Sequence, residues 1–498
     1  MIFSYWLNLI PDECSYWAWS RRLDWSYFDN SGMAAYLIRL STALFGESAP
    51  FSVRFPFLLL SAFGTFLAYR VSEELFGDRS RAILAALAVN LTPAALLGGA
   101  AAVHDNALTF FWIAAMWAAA RFVRREDGRW FYVMGLFAGL AILSKYTGVL
   151  VIGSILLFLI WNPPYRRWLW RKEPWLGLLI SVSFTLPILW WNYRHDWASL
   201  HHILFIGAGA DSILRRVLDG FGYHLAQLIV ISPPFYAAIV VALGAGVARN
   251  LRRPRPEETV LLCFSLPLPM FGVMAFKGHV EANWAFMGYC SATILAVELV
   301  ARAWRDGPSG AWKLFGRRFL GWGALLSVGP VILVVLHAWI GLLPAFVEAR
   351  LDKADRIIWE TRGWDGLGRH AAEVKREGDV LAADSYQLCA LLEFNTPGQP
   401  EARYLAPWKR PTQFDVWRPS FDDLAGRNII FVSSRELQPS SPAITTVYEN
   451  FAEIERLPPY EVIYHGSVIR RVYLCRGHGF DPFSPIRLKP RTLLYMDY

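Results

Sequence analysis

Ten long apolar runs fill most of the first 343 residues and constrain the fold more than any other feature. A helix needs about 20 mostly apolar residues to cross a bilayer. Runs of this kind lie near Phe51–Phe76, Ala82–Val103, Ala107–Val123, Trp130–Leu143, Gly148–Trp161, Leu176–Trp191, Leu225–Ala248, Val260–Phe276, Trp284–Ala303 and Leu320–Leu343. The two runs flanking Ser144-Lys145-Tyr146 are short and read either as one buried hairpin or as two tight spans. Met1–Ile10 is apolar but only about half a span long. It has neither the basic start nor the cleavage site of a signal peptide, and reads as a truncated first span or a short stub, the first favoured by the outward placement of Asp12. The expected fold is an α-helical polytopic membrane protein of about 10–12 spans.

The loops carry a second pattern. One set holds Arg79 and Arg81; Arg124, Arg125 and Arg129; Arg166, Arg167, Arg171 and Lys172; Arg249, Arg252, Arg253 and Arg255; Arg305, Lys313, Arg317 and Arg318. The alternate set is much poorer in Lys and Arg. The positive-inside rule puts the first set in the cytoplasm. Residues Pro11–Pro50, the His104 and Lys277 loops and the C-terminal tail then face outward. The net charge of +8 is explained by these loops and calls for no nucleic acid. Charged residues make up 18% of the chain, against about 25% in soluble proteins.

Charged and apolar residues mix like those of a soluble domain from about residue 345. The division expected is 1–344 in the membrane and 345–498 as an outward-facing α/β domain. Val380–Ala382 and Asn428–Val432 read as buried strands and Trp364–Arg376 as an amphipathic helix. The five cysteines show no CxxC and no metal spacing. An outward-facing domain would allow Cys389 and Cys475 to pair, but their spacing gives little reason to expect it.

Unusual acids and bases gather in the outward loops. Asp12-Glu13 opens the first of them, and acids at a lipid boundary are costly. Asp12 reads either as a general base for an acceptor hydroxyl or as a helix cap. Trp17, Trp19 and Trp25 read as interface anchors more readily than as sugar platforms. Asp105, in His104-Asp105-Asn106, is again either functional or a cap. Lys145 lies between two apolar runs, where a cation needs a partner, a phosphate, or a path to the interface. Lys277 and Glu281 flank one turn and could pair with each other. His195, His201 and His202 form the only His-rich stretch; it reads as polar surface, since its spacing diagnoses no metal.

The run Asp12-Glu13, Tyr16-Trp17 and Trp25-Ser26-Tyr27-Phe28-Asp29 is followed by Asp105, Ser144-Lys145-Tyr146-Thr147-Gly148, Trp191-Asn192, His195-Asp196-Trp197 and Val280-Glu281-Ala282-Asn283-Trp284. In order and membrane side this resembles the bacterial protein-mannosyltransferase-like membrane glycosyltransferases of the GT-C fold. That group includes lipid A aminoarabinose transferases and lipopolysaccharide galacturonosyltransferases. Asp384-Ser385-Tyr386-Gln387 and Gln413-Phe414-Asp415-Val416-Trp417 resemble the group's periplasmic domain. The resemblance implies inverting transfer of a sugar from a polyprenyl-phosphate donor to a lipid, polysaccharide or protein acceptor. It places that reaction on the outer face of the bacterial inner membrane. Asp12 and Asp105 match its catalytic acids. Glu13, Asp29, Lys145, Arg194, Lys277 and Glu281 are the expected substrate-binding residues. No cofactor is required, and a divalent metal is left open. Two departures stand out. The group's Phe-Asp-His-Pro-Pro is here Phe28-Asp29-Asn30-Ser31-Gly32, which removes a cation beside Asp29 and loosens the loop. Its Val-Glu-Pro-Asn-Trp carries Ala282 in place of proline. The alternatives are a flippase for lipid-linked sugars, which should place ionisable residues near the midplane and show repeats, and an inactive homologue.

Overall fold

The computed structural model describes residues 7–46, 49–205, 212–306, 310–344, 347, 350, 356–406, 410–437, 448–464 and 466–482. The helices begin with α1 (Pro11–Arg21), α2 (Met33–Phe45), α3 (Pro50–Phe76), α4 (Arg79–Asn90), α5 (Pro93–Gly98), α6 (His104–Arg125) and α7 (Trp130–Ser144). They continue with α8 (Leu150–Trp161), α9 (Lys172–Ser183), α10 (Leu186–Arg194), α11 (Ala198–Phe205), α12 (Ile213–Ile231) and α13 (Pro233–Arg252). The last of the bundle are α14 (Pro256–Phe264), α15 (Pro267–Met274), α16 (Phe286–Asp306) and α17 (Gly310–Ile340).

Among the described residues six helical stretches are long and apolar enough to cross a membrane, seven if one sharply bent pair counts as a span. This is fewer than the sequence pattern suggests, for local reasons. The Ala82–Val103 run breaks between α4 and α5, where Pro93 opens the second helix after the Thr92 cap; proline cannot continue a helix from its N-terminal side. The Leu225–Ala248 run straddles the turn between α12 and α13, with Ser232 at φ 78°. The segment 146–170 bends by 119°. The chain is a multi-pass membrane protein, and side chains exposed on its bundle are correspondingly apolar: Phe63, Phe66, Leu179, Ile229 and Val241 all face outward.

The C-terminal part begins with α18 (Arg356–Thr361) and α19 (Trp364–Val374), the latter close to the expected amphipathic helix. Strands β1 (Val380–Ala383) and β3 (Ile429–Ser433) fall on the two apolar runs read as strands. Helix α20 (Tyr386–Asn395) joins β1 to β2 (Ala402–Tyr404), and α21 (Gln413–Trp417) precedes β3. With β4 (Phe451–Arg456), β5 (Tyr460–Tyr464) and β6 (Ser467–Phe480), the sheet order is β2-β1-β3-β6-β4, and β5 pairs with β6. β1 runs parallel to β2 and β3, and the pairs with β6 are antiparallel. Cys389 and Cys475 are buried free thiols, not a disulfide.

The sheet unit grips α1. Trp17 meets Phe394 of α20 edge to face at 5.0 Å, Arg22 holds the buried Glu393 through both carboxylate oxygens at 3.0 Å, and Arg21 donates to the Gln399 carbonyl. Trp17 and Trp19 are thus core residues, not the expected interface anchors; only Trp25 is exposed. A tryptophan between two packed helices removes more apolar area from water than one lying at a lipid boundary.

Candidate active site

Helix α1 begins at Pro11, and its acidic first turn suits the positive end of the helix dipole. Its two acids part company at once. Asp12 is exposed. Glu13 is 1% exposed and accepts from Arg54 Nε at 2.8 Å, Arg54 Nη2 at 2.5 Å, Ala102 N at 2.9 Å and Ile10 N at 3.0 Å. The capping carboxylate is therefore Glu13, not Asp12. Its four donors tie α1 to α3 and to the turn before α6, so its carboxylate works as a structural clamp.

Asp105 does not cap its helix either; the N-cap is Val103. Asp105 is buried and accepts from Lys145 Nζ at 2.8 Å and Asn283 Nδ2 at 3.0 Å, with His104 Nε2 at 3.1 Å. The other nitrogen of His104 meets the Tyr16 hydroxyl. Lys145 neither snorkels nor stands open. It sits at the C-cap of α7, where the chain turns sharply and Gly148 N bonds back to the Lys145 carbonyl at 2.8 Å. A Cβ at Gly148 would overlap the backbone of Ala141, so only glycine allows the turn that aims Lys145 at Asp105.

Tyr16 extends this cluster onto α1. It lies one turn beyond Asp12 on the same face of α1. Burial pushes its phenol well above the ordinary value of 10, and the fields of Asp12, Asp105, Tyr386 and Asp29 push it further. An apolar cavity of about 180 Å³ runs from Asp105, Asn106 and Asn283 down between α3, α4, α6 and α16, past Leu60, Val89 and Phe110.

Asp29 belongs to a second cluster. Its Oδ1 receives Arg410 Nη1 at 2.6 Å and lies 3.6 Å from His202 Nε2. His202 is buried against Phe28, with ring centroids 5.0 Å apart. It packs beside Asp29 and Arg410 and is not part of the polar surface expected of the His-rich stretch. Burial lowers its pKa below 6.5; Arg410 and His201 lower it too, and Asp29 opposes. The backbone N–H of Phe28 donates to Gln413 Oε1 at 2.7 Å, so the sheet unit fixes this loop directly.

The remaining expected residues lie apart from these partners. Arg194 is exposed above the Trp190 ring. Lys277 is exposed. Glu281 pairs with His279 at 2.9 Å, not with Lys277. From that motif it is Asn283 that reaches the site. The sequence does not single out His104, Tyr16, Asn283, Arg410 or Tyr386. Four of them stand in motifs whose acids are the stronger signal; Arg410 carries no local signal at all. Among the described residues, no three His, Cys, Asp or Glu side chains converge as a metal site.

Residues 29–191 match the family model described as dolichyl-phosphate-mannose-protein mannosyltransferase. The chain is 31% identical over 306 residues to lipid A galacturonosyltransferase RgtD of Rhizobium johnstonii, covering 60% of this chain and 62% of that one. It is 25% identical over 358 residues to the undecaprenyl phosphate-α-4-amino-4-deoxy-L-arabinose arabinosyl transferase of Pectobacterium carotovorum, covering 67% and 61%. The matches thus span about three fifths of the length of these relatives. Among solved structures, ArnT from Cupriavidus metallidurans superposes with a TM-score of 0.60 over 95% of both chains at 16% identity. The chain therefore has the GT-C fold of ArnT, and its residues 29–191 are similar to the dolichyl-phosphate-mannose-protein mannosyltransferase family.

Proposed function

We propose that this protein is an inverting glycosyltransferase. It moves a sugar from a polyprenyl-phosphate donor to a lipid acceptor bearing a polar glycan head, of which lipid A is the first to test. The observation that carries the reading is a buried Asp105–Lys145 pair at the polar end of an apolar cavity between membrane helices. A polyprenol tail fits an apolar channel and its phosphate a polar mouth. The relatives named above agree, since their names specify sugar transfer to lipid A and an undecaprenyl-phosphate donor. So does the ArnT structure solved with undecaprenyl phosphate.

In this reading Asp12 takes the proton from the acceptor hydroxyl as its oxygen attacks the anomeric carbon. The bond from that carbon to the phosphate oxygen breaks, and polyprenyl phosphate leaves with the electron pair. Asp105, held by Lys145, Asn283 and His104, fixes Tyr16 and the floor of the cleft. The basic loops face the cytoplasm, so the cleft and the sheet unit face the periplasm of a bacterial inner membrane. The flippase reading is weaker because the buried ionisable residues of the site gather at one end of the bundle. The reaction needs no cofactor. Transfer that survives EDTA agrees with this; transfer abolished by EDTA and restored by Mg²⁺ or Mn²⁺ would put a divalent cation beside the donor phosphate.

The test is transfer of label from a panel of polyprenyl-phosphate sugars into a lipid extract, by wild type and by Asp12→Asn. Label moved by wild type and lost in the variant supports the reading. Equal transfer by both removes Asp12 as the base. Absence of transfer from every donor, alongside activity of a relative on the same panel, refutes the proposal.

A further inference from the structure

The cleft needs a cation to receive a phosphate, and the cations that the sequence offers for it are placed elsewhere. Lys145 is 9% exposed and held by Asp105. Among the described residues, Arg194 and Lys277 pair with neither Asp105 nor Asp29. The loop itself supplies none, because Asp29 is followed by Asn30-Ser31-Gly32.

Arg410 meets the need from the other part of the chain. It lies between β2 and α21 of the sheet unit, 381 residues from the carboxylate it touches. Its Nη1 donates to Asp29 at 2.6 Å and stands 3.5 Å from His202 Nε2, and its Cζ lies 5.5 Å from the centre of the Tyr386 ring. Its side chain is 36% exposed, four times the exposure of Lys145. Asp29 thus holds a guanidinium in place while about a third of its side chain stays open to an incoming anion. A guanidinium presents five N–H donors in a planar fork that fits phosphate oxygens.

We propose that Arg410 is the cation that receives the donor's phosphate, so that the sheet unit contributes a substrate-binding residue to a cleft otherwise built by the membrane helices. Asp29 is then a positioning residue, holding the guanidinium at the mouth. The proposal rests on the transferase reading and deepens it by naming the anion partner. A strut that merely pins the sheet unit to the bundle is the competing role.

The experiment uses the full chain in phosphatidylcholine nanodiscs, with undecaprenyl phosphate as the probe and undecaprenol, which lacks the phosphate, as the control. Arg410→Ala should weaken undecaprenyl phosphate binding about tenfold to a hundredfold, the range for one charge-assisted hydrogen bond. It should leave undecaprenol binding unchanged and raise the donor KM with little change in kcat. Arg410→Lys should retain most of the binding. Asn30→Lys, added to Arg410→Ala, should restore part of it by placing a cation next to Asp29. Unchanged undecaprenyl phosphate binding by Arg410→Ala overturns the proposal. So does an equal loss of binding for undecaprenyl phosphate and undecaprenol, because that is the result of a lost strut. Arg410-dependent binding without transfer from any donor would retain the phosphate site and refute the transferase reading. Transfer with binding independent of Arg410 would do the reverse.

Discussion

Replacing Glu13 by Gln and Asp12 by Asn should separate two adjacent carboxylates by what each variant loses. Glu13 is 1% exposed and takes four hydrogen bonds, two from Arg54 and two from backbone N–H groups of Ile10 and Ala102. Removing one charge of a buried pair costs about 3–5 kcal/mol, because its partner stays buried without a counter-charge. An amide also turns one acceptor into a donor, which then faces donors. Glu13→Gln should therefore lower the folded-to-unfolded ratio by roughly two orders of magnitude or more. The molecules that remain folded should transfer sugar at the wild-type KM. Asp12→Asn removes an exposed charge, so stability should move by no more than about 0.5 kcal/mol, while kcat falls roughly 10²–10⁴-fold. The assay is the thermal inactivation midpoint of the detergent-solubilised protein, with transfer rates normalised to monodisperse protein. Glu13→Leu combined with Arg54→Met should recover part of the lost stability, since no lone charge is left buried. The reasoning fails if Glu13→Gln is as stable as wild type but binds donor poorly, or if Asp12→Asn is destabilised with kcat intact.

Three further outcomes follow from buried charges elsewhere. Lys145→Met leaves Asp105 buried with His104 and Asn283 as its remaining donors; it should cost about 3–5 kcal/mol, and Asp105→Asn in the same chain should recover most of that midpoint without restoring transfer. Arg22→Ala strips the guanidinium from Glu393, whose carboxyl burial already pushes above 4.5 and Arg22 draws down. The folded form then holds a proton that the unfolded form releases, so the variant's deficit should grow as pH rises above about 4.5, which midpoints at pH 5 and pH 8 would read. His202 has the opposite sign. Burial, Arg410 and His201 hold it below 6.5 against Asp29, so the unfolded chain takes up the proton first and stability should fall as pH drops below 6.5. His202→Gln should flatten that part of the profile.

The bundle was legible because a lipid-facing helix must be apolar along its length, and the basic loops between helices mark its ends. The span count was less so. Apolarity does not distinguish a run that continues from one that turns, and Pro93 and Ser232 break two runs without making them polar. The site was legible as a set of motifs but not as a set of roles. Asp12 and Glu13 are neighbours of like chemistry, and only the third dimension shows that Arg54 and Ala102 claim one of them. In Glu281-Ala282-Asn283 the charged residue turned out to pair locally with His279, while the neutral amide reaches Asp105. A charge draws attention in a sequence, but a buried carboxylate needs donors, and an amide supplies one without a charge to desolvate.

Three of the contacts that sequence reasoning missed join residues hundreds of positions apart. Gln413 holds the backbone of Phe28, Glu393 holds Arg22, and Arg410 holds Asp29. Each of them fastens the segment from α1 to Asp29 to the sheet unit. That segment is short, carries two acids of the cleft, and ends in Asn30-Ser31-Gly32, which has no proline to stiffen it. A loop of this kind keeps a defined shape only if something outside it takes up its polar groups, because ordering each residue costs about 1–2 kcal/mol of backbone entropy. Three long-range contacts, two of them ion pairs with a buried or half-buried member, meet that cost where local sequence does not. The sheet unit is therefore part of the cleft's construction, and removing it should release the Asp29 loop even where the helices beneath remain folded.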